Sequence, residues 1–234
     1  MHINYGFPDM NKFQTTTHTL FAIACAFLIH TKSFAEPMSL ADLKTEVKAY
    51  HDSGLYFKEI NQIITPANAY IIQRAQENTK SAQPKKLAIV LDIDETSLSN
   101  YKSLVARDFG FNKDKLLQEM MTPNATTIDP VLSFYKNALQ HNVAIFFVSG
   151  RPESTMKSTQ TNLKNAGYNQ WTALYLRPNT YNQNSNIPFK VQARKAITEQ
   201  GYTIIASIGD QDSDLTGGYT EKTYKLPNPY YFVP

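Results

Sequence analysis

The sequence predicts an α/β fold: a parallel sheet with helices on both faces, preceded by a small helical lobe. The runs at 87–91 (LAIVL), 143–148 (VAIFFV) and 203–208 (TIIASI) are apolar at nearly every position, as strands are when both faces are covered. Segments of helical period separate these runs. Proline at 130, 152 and 188 opens those helices, and glycine at 167 and 201 closes two of them.

The N-terminus comes first. Residues 20–29, LFAIACAFLI, form an apolar run too short to span a bilayer comfortably. Lys12 precedes it, and Ser33-Phe34-Ala35 follows as a small-x-small pattern. Residues 1–35 therefore read as a secretory signal peptide cut after Ala35, with a secreted or periplasmic product. Met10 makes a more compact start for it than Met1. Cys25, the single cysteine, lies inside this segment, so no disulfide framework is expected in the mature chain. Because Cys25 sits in mid-run, with apolar residues still following, no lipid modification and no stable membrane anchor are expected.

The lobe, 36–84, holds two helices. Ser39 caps the first, which carries Leu40, Leu43, Val47 and Tyr50 on one face and ends near Gly54. The second runs over 56–75 through Ile60, Ile63, Ile64, Ala67 and Ile71, with Pro66 as a kink or break. The core, 85–234, opens with the strand at 87–91. A helical insertion around 97–127 contains a helix at 112–121 and a polar loop at 122–127. A helix opened by Asp129-Pro130, the strand at 143–148 and a helix from Pro152 to Gly167 follow. A strand at 173–176, a helix from Pro188 to Gly201, the strand at 203–208 and a short strand at 223–226 complete a Rossmann-like alternation.

With 234 residues, 42% hydrophobic and 18% charged, the chain carries enough apolar material for a sizeable core. Its net charge of +3 is small and no block of like charges occurs, so neither a nucleic acid polymer nor an anionic membrane surface is indicated as partner. Composition leaves the oligomeric state open.

In parallel sheets of this kind ligands sit outside the carboxyl ends of the strands. The residues found there are Asp92-Ile93-Asp94-Glu95-Thr96, then Ser149-Gly150-Arg151, then Asp210 to Asp214. Two carboxylates about 4 Å apart repel by roughly 4 kcal/mol at an effective dielectric of about 20. Asp92, Asp94 and Asp210, with Asp214 nearby, therefore call for a divalent cation, and an all-oxygen shell suits Mg²⁺. Taken alone, DIDET reads as an acidic strand-to-loop junction and GDQDSD as a solvated turn; their conjunction carries the signal. Lys190 lies at the start of a helix, where cations are disfavoured; alone it reads as a solvated surface lysine, but beside the carboxylate cluster it points to a negative partner. Ser149 can hold an oxyanion or cap the next helix. Arg151 can reach a phosphate or lie on the surface. Thr96 is read as a hydroxyl tying the loop after the first strand, and Glu95 as bonded to the helical lobe or solvated. Tyr50, Tyr56, Tyr101, Trp171 and Tyr230 are stacking partners for a nucleobase or ordinary packing residues.

LDIDET, FFVSGRPE, PFK and IGDQDSDL stand in the order of the four motifs of the haloacid dehalogenase superfamily. YHDSGLY, TQTNLKNAGY and KLPNPYY narrow the resemblance to the secreted subfamily IIIB acid phosphatases, over nearly the whole mature chain. The resemblance implies a haloacid dehalogenase-like core and hydrolysis of a small-molecule phosphomonoester, for instance a nucleoside monophosphate. It implies Asp92 as nucleophile, Asp94 as general acid and base, and Ser149 and Lys190 as phosphate-binding residues. Mg²⁺ would be held by Asp92, the Asp94 main-chain carbonyl and Asp210, with Asp214 supporting that shell. Serine at 149 stands where threonine is commoner. A phosphotransferase would use the same residues, and a storage or binding protein without activity can share the fold; the intact Asp92, Asp94, Lys190 and Asp210 set weighs against the latter.

Overall fold

The computed structural model describes residues 36–233, so the expected signal peptide at 1–35 lies outside the described residues. Within them, residues 38–233 belong to one compact unit. The first two helices are α1 (Leu40–Asp52) and α2 (Leu55–Thr79), joined at Gly54, whose φ of 82° takes the left-handed conformation that glycine tolerates. The Ser39 hydroxyl accepts from the Asp42 main-chain N–H at 3.1 Å and so caps α1.

Five parallel strands form the sheet: β1 (Lys86–Leu91), β4 (Ala144–Pro152), β5 (Ala173–Arg177), β6 (Tyr202–Gly209) and β7 (Lys222–Lys225), in the order β5-β4-β1-β6-β7. β1 is central, and its side chains feed both layers. Leu87, Ile89 and Leu91 pack with Ile60 and Ile71 of α2 and with Phe134 of α5 (Asp129–Gln140). Leu163 of α6 (Met156–Asn165) belongs to the same layer. Ala88 and Val90 face the other way, onto Ala193 and Ile197 of α7 (Ile187–Glu199). The two-residue period of a strand thus supplies both faces of an α/β sandwich.

Three local readings change. Pro66 does not break α2, which runs through it. A proline in a helix interior costs about 3 kcal/mol. Tyr56, Ile60, Ile64, Ala67, Ile71 and Ala75 are all buried along one face of α2, and at roughly 1.5–3 kcal/mol for each large apolar side chain their burial outweighs that cost. The polar loop at 122–127 ends in β3 (Thr126–Thr127), which pairs antiparallel with β2 (Leu98–Ser99) beside α3 (Tyr101–Ala106) and α4 (Lys113–Met121). The strand expected to stop at 148 extends to Pro152, and the chain then makes a 3₁₀ turn, Glu153–Thr155, before α6 begins. Among the described residues, no helix is long and apolar enough to cross a membrane.

Candidate active site

The carboxyl ends of β1, β4 and β6 bring the acidic and basic residues together. Asp92 follows β1, and its N–H donates to the Ile208 carbonyl at 3.0 Å, so the ladder to β6 continues one residue beyond the strand. Asp210 follows β6 directly, and Asp214 closes a 3₁₀ turn over Asp212–Asp214. Lys190 lies in the first turn of α7. Its ammonium donates to Asp92 Oδ1 at 2.7 Å and also to Asp214 Oδ1. All three side chains are buried. The cation disfavoured by the helix dipole is therefore held by two carboxylates, the negative partners its position called for.

Carboxylate oxygens of Asp92, Asp210 and Asp214 lie within 4.8 Å of one another. Three buried acids share one ammonium, an excess of negative charge in a low-dielectric place. Burial, and then the charge of Asp214, push the Asp92 carboxyl well above its usual range, with Lys190 opposing. Burial and Asp214 raise Asp210 to about 6, against hydrogen bonds from Asn228 and Gln211. Lys190 is pulled down by burial but pushed further up by its two carboxylates, and stays charged. A compact, all-oxygen, over-charged donor set of this kind fits a hard divalent cation. Close approach is built into the backbone here: a Cβ at Gly209 would collide with the side chain of Asp214.

Asp94 stands apart from this group. Its carboxylate accepts from Arg151 Nε at 2.9 and 3.1 Å, from Arg151 Nη2 at 2.6 Å, and from Asn100 Nδ2 at 2.7 Å. Burial would raise its pKa, but the guanidinium and these hydrogen bonds hold it below the usual carboxylate range. Arg151 itself is buried, with Nη1 donating to the Thr159 hydroxyl at 3.3 Å. The surface reading of Arg151 is thereby corrected: the strand extension to Pro152 carries its side chain inward. Ser149 is buried beside it and accepts the Arg151 N–H at 3.2 Å, leaving its own hydroxyl proton free to donate.

Thr96 donates its hydroxyl to Asp210 Oδ1 at 3.0 Å and so ties the loop after β1 to the end of β6. Glu95 has a φ of 52° and a fully buried side chain. It accepts from the Asn100 N–H at 2.7 Å and from the Tyr231 hydroxyl, so its partners are neither the N-terminal helices nor solvent. Burial and the neighbouring Asp94 raise its pKa to about 8.

Asp92, Asp94, Ser149, Lys190 and Asp210 all line one cleft of about 670 Å³, while Asp214 lies behind Lys190. Of the aromatics singled out in the sequence, Tyr230 reaches the cleft. Tyr101 stacks on His51, with ring centroids 3.4 Å apart, and Trp171 packs edge-on against Phe147. Asn100, Gln211 and Asn228 are polar residues of the site that sequence reasoning passed over; for Asn228 the only signal was its place in KLPNPYY.

With this geometry in view, the comparisons with known proteins become informative. The family model described as HAD superfamily, subfamily IIIB (Acid phosphatase), matches residues 15–234. The chain belongs to this family. It is 35% identical over 182 residues to the stem 28 kDa glycoprotein of Glycine max, covering 75% of this chain and 68% of that one. It is 28% identical over 191 residues to acid phosphatase 1 of Solanum lycopersicum, covering 80% and 73%. Vegetative storage protein 2 of Arabidopsis thaliana is 30% identical over 152 residues, covering 62% of this chain and 56% of its own. The fold is also that of the class C acid phosphatase from Bacillus anthracis, with a TM-score of 0.66, 22% identity, and 82% and 86% of the two chains covered.

Proposed function

We propose that this subfamily IIIB chain is an exported, Mg²⁺-dependent phosphomonoesterase acting through an aspartyl phosphate on Asp92. The observation that carries the reading is the Lys190 ammonium, buried and bonded at 2.7 Å to Asp92 Oδ1 beside the acidic group formed with Asp210 and Asp214. Export follows from the reading of residues 1–35.

Asp92 attacks phosphorus in line with the leaving oxygen, forming the phosphorus–carboxylate bond as the ester bond breaks. Lys190 holds the Asp92 side chain in one orientation and offers positive charge to the phosphoryl oxygens. Ser149 donates its free hydroxyl proton to one of those oxygens. Asp94 passes the proton of a monoanionic phosphate ester to the leaving alkoxide, then takes one from the water that opens the acyl phosphate. With Arg151 holding Asp94 ionised, the proton for the first step arrives with the substrate, as it does on a monoanionic phosphate ester. Asp92, the Asp94 main-chain carbonyl and Asp210 would hold the Mg²⁺, with Asp214 behind them. When bound, the ion supplies charge neutralisation for the transferring phosphoryl group.

The test is an assay of the mature protein on an aryl phosphate, with Mg²⁺ and with chelator, beside Asp92→Asn. Loss of activity by at least about 10³-fold in the variant is expected for a removed nucleophile. Activity equal to the parent's, in a preparation free of contaminating phosphatase, would overturn the covalent mechanism. A panel of nucleoside monophosphates and sugar phosphates then assigns the organic part of the substrate.

A further inference from the structure

We infer that Asn228 is a positioning residue that holds the Asp210 carboxylate in place for a divalent cation, an inference that rests on the proposed metal site. Asp210 sits where the charges of Asp92 and Asp214 repel it, and a side chain with two free torsions relieves such repulsion by rotating away. Hydrogen bonds prevent this. Oδ1 accepts from the Thr96 hydroxyl at 3.0 Å, and Oδ2 accepts from Gln211 Nε2 at 2.5 Å and Asn228 Nδ2 at 2.7 Å.

Thr96 and Gln211 lie next to the acidic motifs in sequence, whereas Asn228 comes from the segment beyond β7. Its own orientation is fixed. Asn228 Oδ1 accepts from the N–H groups of Tyr230 at 2.9 Å and Tyr231 at 3.4 Å, an Asx-type turn. With the amide oxygen so engaged, the NH₂ group is turned onto Asp210. The same segment also locks the second amide: the Val233 N–H donates to Gln211 Oε1 at 3.0 Å, which leaves Gln211 Nε2 for Asp210. The Leu226 N–H donates to the Gly209 carbonyl at 2.8 Å, and the Lys225 ammonium donates to the Asp210 carbonyl, so the segment is anchored on both sides of the acid.

The chemistry of the donors is informative. Neutral amides orient a carboxylate without cancelling its charge. An arginine or lysine in the place of Asn228 would form an ion pair and compete with a metal for the same oxygens. Arg151 does so at Asp94, whose side chain lies outside the acidic group. The contrast between the two acids, one paired with a cation and one held by amides, assigns them different tasks.

The experiment is calorimetric titration of Mg²⁺ into the protein without substrate, comparing the parent with Asn228→Ser, Asn228→Ala and Tyr231→Phe. Serine keeps an oxygen for the turn but cannot reach Asp210. Loss of a hydrogen bond behind a metal ligand weakens metal binding by about 10–100-fold, and that weakening is expected in both Asn228 variants. Activity should be regained as Mg²⁺ is raised, and thermal melts without Mg²⁺ should report whether the fold persists. Tyr231→Phe removes the contact to Glu95 but none to Asp210, and should bind Mg²⁺ as the parent does. A parent that binds no Mg²⁺ would overturn the metal site itself. A parent that binds, with Asn228 variants binding equally well, would overturn this inference alone. So would equal weakening in Tyr231→Phe, or failure of both Asn228 variants to fold.

Discussion

Arg151 grips both carboxylate oxygens of Asp94, with Nε at 2.9 and 3.1 Å and Nη2 at 2.6 Å, so this acid of the cleft is held as an anion. Replacing Arg151 by alanine leaves that charge without its partner. Because the Asp94 side chain is 20% exposed, the expected loss of stability is about 2–3 kcal/mol, below the range for a fully buried pair. Urea denaturation measures it. The double variant Arg151→Ala with Asp94→Asn should lose less than the two single changes together, since the orphaned charge is gone. Strict additivity would mean that the pair contributes nothing.

Mg²⁺ should stabilise the protein by mass action. At a free concentration one hundred times its dissociation constant, a ligand that binds only the native state adds about 2.7 kcal/mol, or roughly 5–10 °C in Tm for a chain of this size. Chelator should reverse the shift, and Asp210→Asn should abolish it. Differential scanning calorimetry reads both, without reference to catalysis.

Gly209→Ala and Gly54→Ala make an instructive pair. At Gly209 the new methyl group would collide with Asp214, whereas at Gly54 it would meet nothing within 4 Å. Overpacking at position 209 should cost about 1–3 kcal/mol and displace Asp214, so Mg²⁺ titration should weaken along with stability. At position 54 the only penalty is a φ of 82°, worth about 1 kcal/mol, and Mg²⁺ binding should stay unchanged.

Away from the cleft, the Arg74 guanidinium donates to both oxygens of Glu221, at 2.7 Å each, and the Tyr70 hydroxyl adds a third bond at 2.6 Å. The hydrogen bond from Arg74 is the main cause of a Glu221 pKa below its ordinary value, with burial opposing it. A depressed carboxyl stabilises the native state above its unfolded pKa and loses that contribution as pH falls through the folded value. The loss therefore comes below about pH 4.5 and should be near 0.5 kcal/mol, as for other half-exposed ion pairs. Glu221→Gln should lower stability at pH 7 and narrow its gap to the parent as the solution is acidified; a gap that stays constant below pH 4 would contradict this.

The sheet was legible because β1, β4 and β6 carry short apolar runs bounded by polar residues. Asp92, Lys190, Asp210 and Asp214 were legible because they follow such runs or open a helix. What escaped depended on tertiary partners. Pro66 read as a kink or break because local sequence does not reveal how much of α2 is buried. The two-residue β2 and β3 are too short to show any period. Arg151 read as reaching a phosphate or lying on the surface, because nothing local shows that the strand before it runs on to Pro152. Asn228, in a proline-rich stretch, had the composition of an ordinary turn, and its hydrogen bond to Asp210 spans 18 positions.

The segment from Lys225 to Val233 sits directly against Asp210, and this bears on when the site comes into being during synthesis. Domains fold as the ribosome releases them, N-terminal parts first. Asp92 and its strand are made early, and Gln211 directly follows Asp210, yet the Asn228 amide that steadies Asp210 emerges only after β7 has been translated. A nascent chain stalled before Asn228 would carry the clustered acids with Thr96, Lys190 and Gln211 already made, but without the Asn228 bond or the Val233 contact that orients Gln211. A chain still tethered short of that point should therefore bind Mg²⁺ more weakly than one translated through Val233, although Asp92, Asp210 and Asp214 are already in place.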